Sequence, residues 1–116
     1  MKKFLTGALV SLLFAPLLAL AQAAESVEPF KVGTFAVGTD KFVGLVVRDD
    51  SLIVDVQEAN RAMELDSRFA QIAVPGDMVG FIEQYEYGLK YRVYEVMNWL
   101  VAQGQLVGSN RPGYVH

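Results

Sequence analysis

The 116-residue chain contains no cysteine and a single histidine, at its last position. Without thiols there is no disulfide framework, no thiolate nucleophile and no cysteine-based zinc site. One terminal histidine leaves no partner for a Ser-His or Cys-His pair, which excludes most hydrolytic mechanisms within the chain. Basic residues are also few. Lys and Arg number 10 against 13 Asp and Glu, and two of the lysines, Lys2 and Lys3, stand in an apolar leader at the start of the chain. The remainder is therefore acidic, and it offers no positive surface to bind nucleic acid by counterion release.

Hydrophobic residues make up 53% of the chain, and the opening segment is disproportionately rich in them. Met1-Lys2-Lys3 is a short positive start, residues 4–20 carry no charge, and Ala21-Gln22-Ala23 has the small-x-small pattern of a signal-peptidase site. The expectation is a signal peptide over 1–23, cleaved after Ala23, giving a periplasmic or secreted product with no stable membrane span. The competing reading is an uncleaved anchor, since 17 uncharged residues lie near the lower limit for crossing a bilayer. Pro16 weighs against it, standing where a signal's apolar region ends.

Residues 24–29 read as a polar connector. The stretches 30–37, 42–47 and 52–54 are rich in β-branched and aromatic residues. They are separated by Gly38-Thr39-Asp40-Lys41 and Arg48-Asp49-Asp50-Ser51, two sets of turn residues. A three-stranded antiparallel meander is predicted. Asp55 and Glu58 then have capping-box spacing, with Val56, Ala59 and Met63 on one helical stripe. Asp55 is also weighed as a metal or catalytic carboxylate at a strand end, but no second ligand lies near it in sequence. A second cap, Asp77, precedes a stripe of Met78, Phe81, Ile82 and Tyr85. Tyr87-Gly88 marks a break or kink, and Leu89, Val93, Val96, Met97 and Leu100 continue at helical spacing as far as Gln103-Gly104. The fold class expected is α+β, a small meander followed by about three helices packed on it. The domain spans 30–104, and the aperiodic residues 105–116 read as a linker-like tail.

No catalytic, cofactor-binding or metal-ligating set emerges. Glu83 and Glu86 fall on an exposed helix side, Asp49 and Asp50 in a turn, and Glu64 and Asp66 at a helix end, all expected to be solvated. The unusual stretch is 85–94, which holds four of the five tyrosines. Tyr87, Lys90, Tyr91, Tyr94 and Trp99, with Arg92 beside them, form a candidate protein interface. The alternative is that a small domain uses tyrosine to cover its rim while each hydroxyl stays in water. Glu83, Glu86 and Glu95 interrupt any groove for nucleic acid.

In this order, Phe30-Lys31-Val32-Gly33-Thr34-Phe35, Val43-Gly44-Leu45-Val46-Val47, Leu52-Ile53-Val54-Asp55-Val56 and Val74-Pro75-Gly76-Asp77-Met78-Val79-Gly80-Phe81-Ile82-Glu83 resemble the amino-terminal region of fumarylacetoacetate hydrolase (FAA hydrolase) family proteins. The resemblance implies a noncatalytic α+β domain of an exported bacterial member, placed ahead of a β-rich catalytic domain and usually found in a homodimer. The full-length family enzymes cleave or rearrange β-diketo and oxo acids with Mg²⁺ or Ca²⁺ held by a Glu-x-Glu pair and an Asp. This chain has no Glu-x-Glu; in Glu83-Gln84-Tyr85-Glu86 the carboxylates are three apart. The expected function is thus a domain or fragment that packs on a missing or separately encoded catalytic domain. The alternative is a free-standing periplasmic interaction module using the Tyr/Trp-rich helix.

Overall fold

A computed structural model describes residues 25–108 and 111–116. The signal-peptide reading of 1–23 lies outside the described residues, and among those described no helix is long and apolar enough to cross a membrane. The α+β architecture expected from the sequence is the one adopted. Three strands, β1 (Lys31–Val37), β2 (Asp40–Val47) and β3 (Leu52–Asp55), form an antiparallel sheet in the order β1-β2-β3. Three helices come after them: α1 (Val56–Met63), α2 (Met78–Gln84) and α3 (Lys90–Ala102).

The first turn is tighter than the four residues the sequence suggests. Val37 pairs directly with Asp40, leaving Gly38-Thr39 as a two-residue loop, with Gly38 at φ 62° supplying the left-handed first position that such hairpins need. At the second turn Arg48, Asp49 and Asp50 all have positive φ, and the Ser51 amide closes back on the Arg48 carbonyl at 3.1 Å. Aspartate tolerates this conformation better than most residues, which accounts for its use here.

β2 is central and buried on both faces. Val43, Leu45 and Val47 point toward the helices with Leu52 and Val54 from β3, and all five belong to the core. On the opposite face Gly44 lies between Phe35 and Ile53. A Cβ built at Gly44 would sit 2.6 Å from the Phe35 ring and 2.7 Å from the Ile53 methyl, so the missing side chain is the space the ring occupies.

Asp55 caps α1 as its spacing predicts, accepting from the Glu58 amide at 3.3 Å. The reciprocal half of the capping box does not form, because the Asp55 amide donates to the Tyr114 carbonyl at 2.8 Å and the Glu58 carboxylate turns to Arg61. Asp77 caps α2 through the Gly80 amide at 2.8 Å. Gly88, at φ 126°, produces the expected kink between α2 and α3 inside the wide turn Tyr85–Leu89. Val56, Ala59 and Met63 of α1 pack against Val93, Val96, Met97 and Leu100 of α3 and against the sheet.

Two segments differ from their sequence reading. The tail returns to the sheet instead of leading away. The Ile53 and His116 backbones exchange hydrogen bonds at 2.9 and 2.8 Å, Val54 bridges Val115, and Leu106 and Val115 enter the core. Periodicity misses this because one buried residue in each of two short loops makes no pattern. Burial of each stabilises by about 1.5–3 kcal/mol, which adds to the backbone hydrogen bonds that tie the tail to β3. The connector is also fixed. Asn98 accepts from the Val27 amide and donates to the Glu25 carbonyl, both at 2.7 Å, while Glu28 accepts from the Arg48 amide at 3.1 Å and pairs with its guanidinium at 3.5 Å.

Gly44→Ala is expected to destabilise the fold by about 1–3 kcal/mol through overpacking. Its chemical denaturation midpoint should fall while the slope is unchanged; an unaltered midpoint would show that Phe35 has room to move.

Candidate functional site: an aromatic groove and a buried arginine

The tyrosine-rich helix and the connector together enclose an open groove of about 680 Å³. One wall is Glu25, Ser26, Glu28, Pro29 and Phe30, and the other is Tyr85, Lys90, Tyr91 and Tyr94. Phe30 lies 6.1 Å from Tyr94 with the rings tilted by 58°, and Tyr91 meets Tyr94 edge-on at 6.1 Å and 87°. Lys90 lies 5.4 Å from the Tyr91 ring centre and 3.0 Å from Glu86, in the i,i+4 relation that suits a helical ion pair. Burial, with the Tyr94 hydroxyl beside it, pushes the pKa of the Tyr85 hydroxyl up to about 12. Like any tyrosine, Tyr85 is neutral at physiological pH, so its hydroxyl can donate or accept a hydrogen bond in the groove.

Of the five residues proposed from sequence, the structure brings Lys90, Tyr91 and Tyr94 together in this groove. Tyr87 is 90% exposed and does not line it. Trp99 is partly buried against the core and does not line it either. Tyr85 falls on an apolar stripe in the sequence, yet it lies at the core boundary and contributes to the groove wall.

Arg92 is the largest departure from the sequence reading. Its place beside Lys90 in the candidate interface predicts a surface residue, but it is 3% exposed. One of its terminal nitrogens donates to the Asn60 side-chain oxygen Oδ1 at 3.2 Å and the other to the Ala70 backbone carbonyl, and Glu64 and Glu95 carboxylates lie 3.6 Å away. Glu64, expected to be solvated, has a 14% exposed side chain and accepts from the Ile72 amide at 2.6 Å. The same loop is gripped at two further points: Asn60 donates to the Ile72 carbonyl at 3.1 Å and Gln57 to the Val74 carbonyl at 2.9 Å. Gln57, Asn60 and Glu64 recur at three and four residues on α1, so one helical face supplies the partners an irregular loop needs. The signal is present in the sequence as polar residues interleaved with the core stripe.

Among the described residues no group of three His, Cys, Asp or Glu is placed to hold a metal ion. Glu83 and Glu86 are exposed, and Asp55 is engaged as a helix cap, its carboxyl raised above the ordinary range chiefly by burial. Ile82, on the predicted core stripe, is 65% exposed and lines an open groove with Val32, Met78 and Phe81. Comparison with known proteins adds no identification, since no family, curated protein or solved structure matches the chain.

Arg92→Ala should destabilise the domain by about 3–5 kcal/mol, because it leaves Glu64 without its countercharge and the Ala70 carbonyl without its donor. Limited proteolysis should then cut within residues 65–77; resistance equal to the parent would show that the loop is held by other contacts.

In ultraviolet titration one tyrosine should ionise near pH 12, a step removed by Tyr85→Phe. The folded value lies above the ordinary 10.0, so the stability this proton contributes is complete below pH 10 and lost as pH rises toward 12. Absence of a raised tyrosine step that Tyr85→Phe removes would contradict it.

Proposed function

We propose that the chain is a noncatalytic docking domain of an exported fumarylacetoacetate hydrolase-like system, packing on a catalytic domain encoded elsewhere or beyond it. The observation that carries this reading is the groove of Tyr85, Lys90, Tyr91 and Tyr94 against the 25–30 segment. Its aromatic rings offer large contact area at low entropic cost, and Lys90 supplies one charge with a counterion already in place. The resemblance of the strand, turn and helix order supports the family, and the leader 1–23 supports export to the periplasm. In such a system Mg²⁺ or Ca²⁺ belongs to the catalytic partner.

Serving as a free-standing interaction module is the second reading, and the same groove favours it. Binding to a separately produced catalytic domain of the family separates the two. On the first reading that domain binds the chain, and Tyr91→Ala with Lys90→Glu weakens binding by roughly tenfold or more, as loss of a central aromatic contact does. No binding to any such domain would remove the family reading. Turnover of acylpyruvates by the chain alone, dependent on added Mg²⁺, would contradict the noncatalytic assignment altogether.

A further inference from the structure

The tail covers the β3 side of the sheet, so β1 is the edge left without a neighbour among the described residues. The bonds at the other edge determine which of its groups face outward. Ile53 and Asp55 spend their backbone groups on the tail, so Leu52 and Val54 bond β2. Alternation across the ladder then sets Lys31, Gly33, Phe35 and Val37 toward β2, and leaves the N–H and C=O of Val32, Thr34 and Ala36 pointing away from the sheet. No backbone or side-chain partner meets these three among the described residues.

Edge strands are ordinarily protected by a charge, a proline or a bulge. β1 has no proline, and its register with β2 runs unbroken for seven pairs. Its one charge, Lys31, lies at the end and is drawn to Asp50 at 3.0 Å. Residues 32–37 are thus an uncharged, regular, exposed edge. Beside it lies a mainly apolar groove of about 350 Å³ lined by Val32, Met78, Phe81, Ile82 and Tyr85, with Glu86 at its margin, and Val32, Val79 and Ile82 are exposed to 37%, 68% and 65%.

We propose that β1 is a self-association edge, and that its occupant is β1 of a second copy, running antiparallel about a two-fold axis at Thr34. The sequence of the strand is complementary to itself in that register. Thr34 faces Thr34 of the second copy as a hydrogen-bonded pair, and Val32 and Ala36 exchange bonds with their counterparts. Every outward N–H and C=O is satisfied, and the two three-stranded sheets become one of six. Lys31 falls opposite Val37, so no like charges meet. Gly33 falls opposite Phe35, so the two rings do not compete for one place. Ala36 of the second copy arrives beside Val32, bringing a small apolar side chain to the mouth of the groove under α2. An acidic or basic peptide finds no countercharge along residues 32–37, which is why a second copy is the partner chosen. This interface adjoins the tyrosine groove through Tyr85, which lines both cavities, but it is read by different variants.

The absence of native cysteine makes the register directly measurable in the full chain. In Thr34→Cys the two thiols lie on the axis, at the Cα spacing of about 5.5 Å that a disulfide spans, and mild oxidation should give a covalent dimer. Ala36→Cys alone should not cross-link, whereas an equimolar mixture of Val32→Cys and Ala36→Cys should. Light scattering should show a concentration-dependent dimer, and Thr34→Pro should weaken it by at least about tenfold, because it removes an outward N–H that the monomer leaves unused. Should the proline variant lose its parent-like circular dichroism, Thr34→Lys serves instead, setting two like charges face to face at the axis. A chain that is monomeric at every concentration, a dimer indifferent to Thr34→Pro and Thr34→Lys, or cross-linking at position 36 equal to that at 34 would overturn the proposal.

Discussion

A buried guanidinium holds this fold together. Arg92 reaches from α3 through the core boundary to α1 and to the loop beyond it, and the loop has no ladder of its own to satisfy its backbone. The cost of desolvating a charge is offset only because Asn60, Glu64, Glu95 and the Ala70 carbonyl surround it. Gln57, Asn60 and Glu64 complete the clamp on Ile72 and Val74. The loop delivers the chain to Asp77, so its path fixes where α2 begins, and α2 in turn defines the groove beside β1. A break in the clamp would therefore reach well beyond the loop.

The sheet depends on a second constraint, the satisfaction of its two edges. At β3 the tail provides the partners, using Tyr114 and His116 carbonyls and the His116 amide. At β1 there is no equivalent strand among the described residues. One edge is closed by the chain itself and the other is left regular, uncharged and apolar, and this asymmetry gives the small domain a directional surface. The tyrosine groove adjoins it through Tyr85 and runs between α3 and the 25–30 segment that Asn98 and Glu28 tie down.

Much of this is legible in the order of residues. The meander is written in β-branched runs separated by Gly38-Thr39 and by Asp49-Asp50, and both caps, Asp55 and Asp77, are visible in their spacing. The Gly88 kink is announced by a glycine interrupting a helical period. Arg92 escapes a sequence reading because helical periodicity identifies a face without revealing whether its polar members meet partners on another element; only Asn60 and Glu64, some thirty residues earlier, make that position tolerable. The tail escapes for a related reason, since single anchors such as Leu106 and Val115 carry no period. Ile82 obeys its stripe and still emerges at 65% exposure, because a stripe identifies a helix face without showing whether another element covers it. Of the candidate interface, Lys90, Tyr91 and Tyr94 are legible as a cluster, whereas the wall opposite them comes from a segment that reads as a plain connector.

Amide hydrogen exchange along β1 tests the central claim, that one edge of the sheet is closed within the chain and the other by a second copy. At low concentration Gly33, Phe35 and Val37 should exchange slowly and Val32, Thr34 and Ala36 rapidly, with Ile53 and Asp55 protected by the tail throughout. As concentration rises the three outward amides of β1 should become protected together. Rapid exchange of those three at every concentration, or loss of protection at Ile53 and Asp55, would contradict the account.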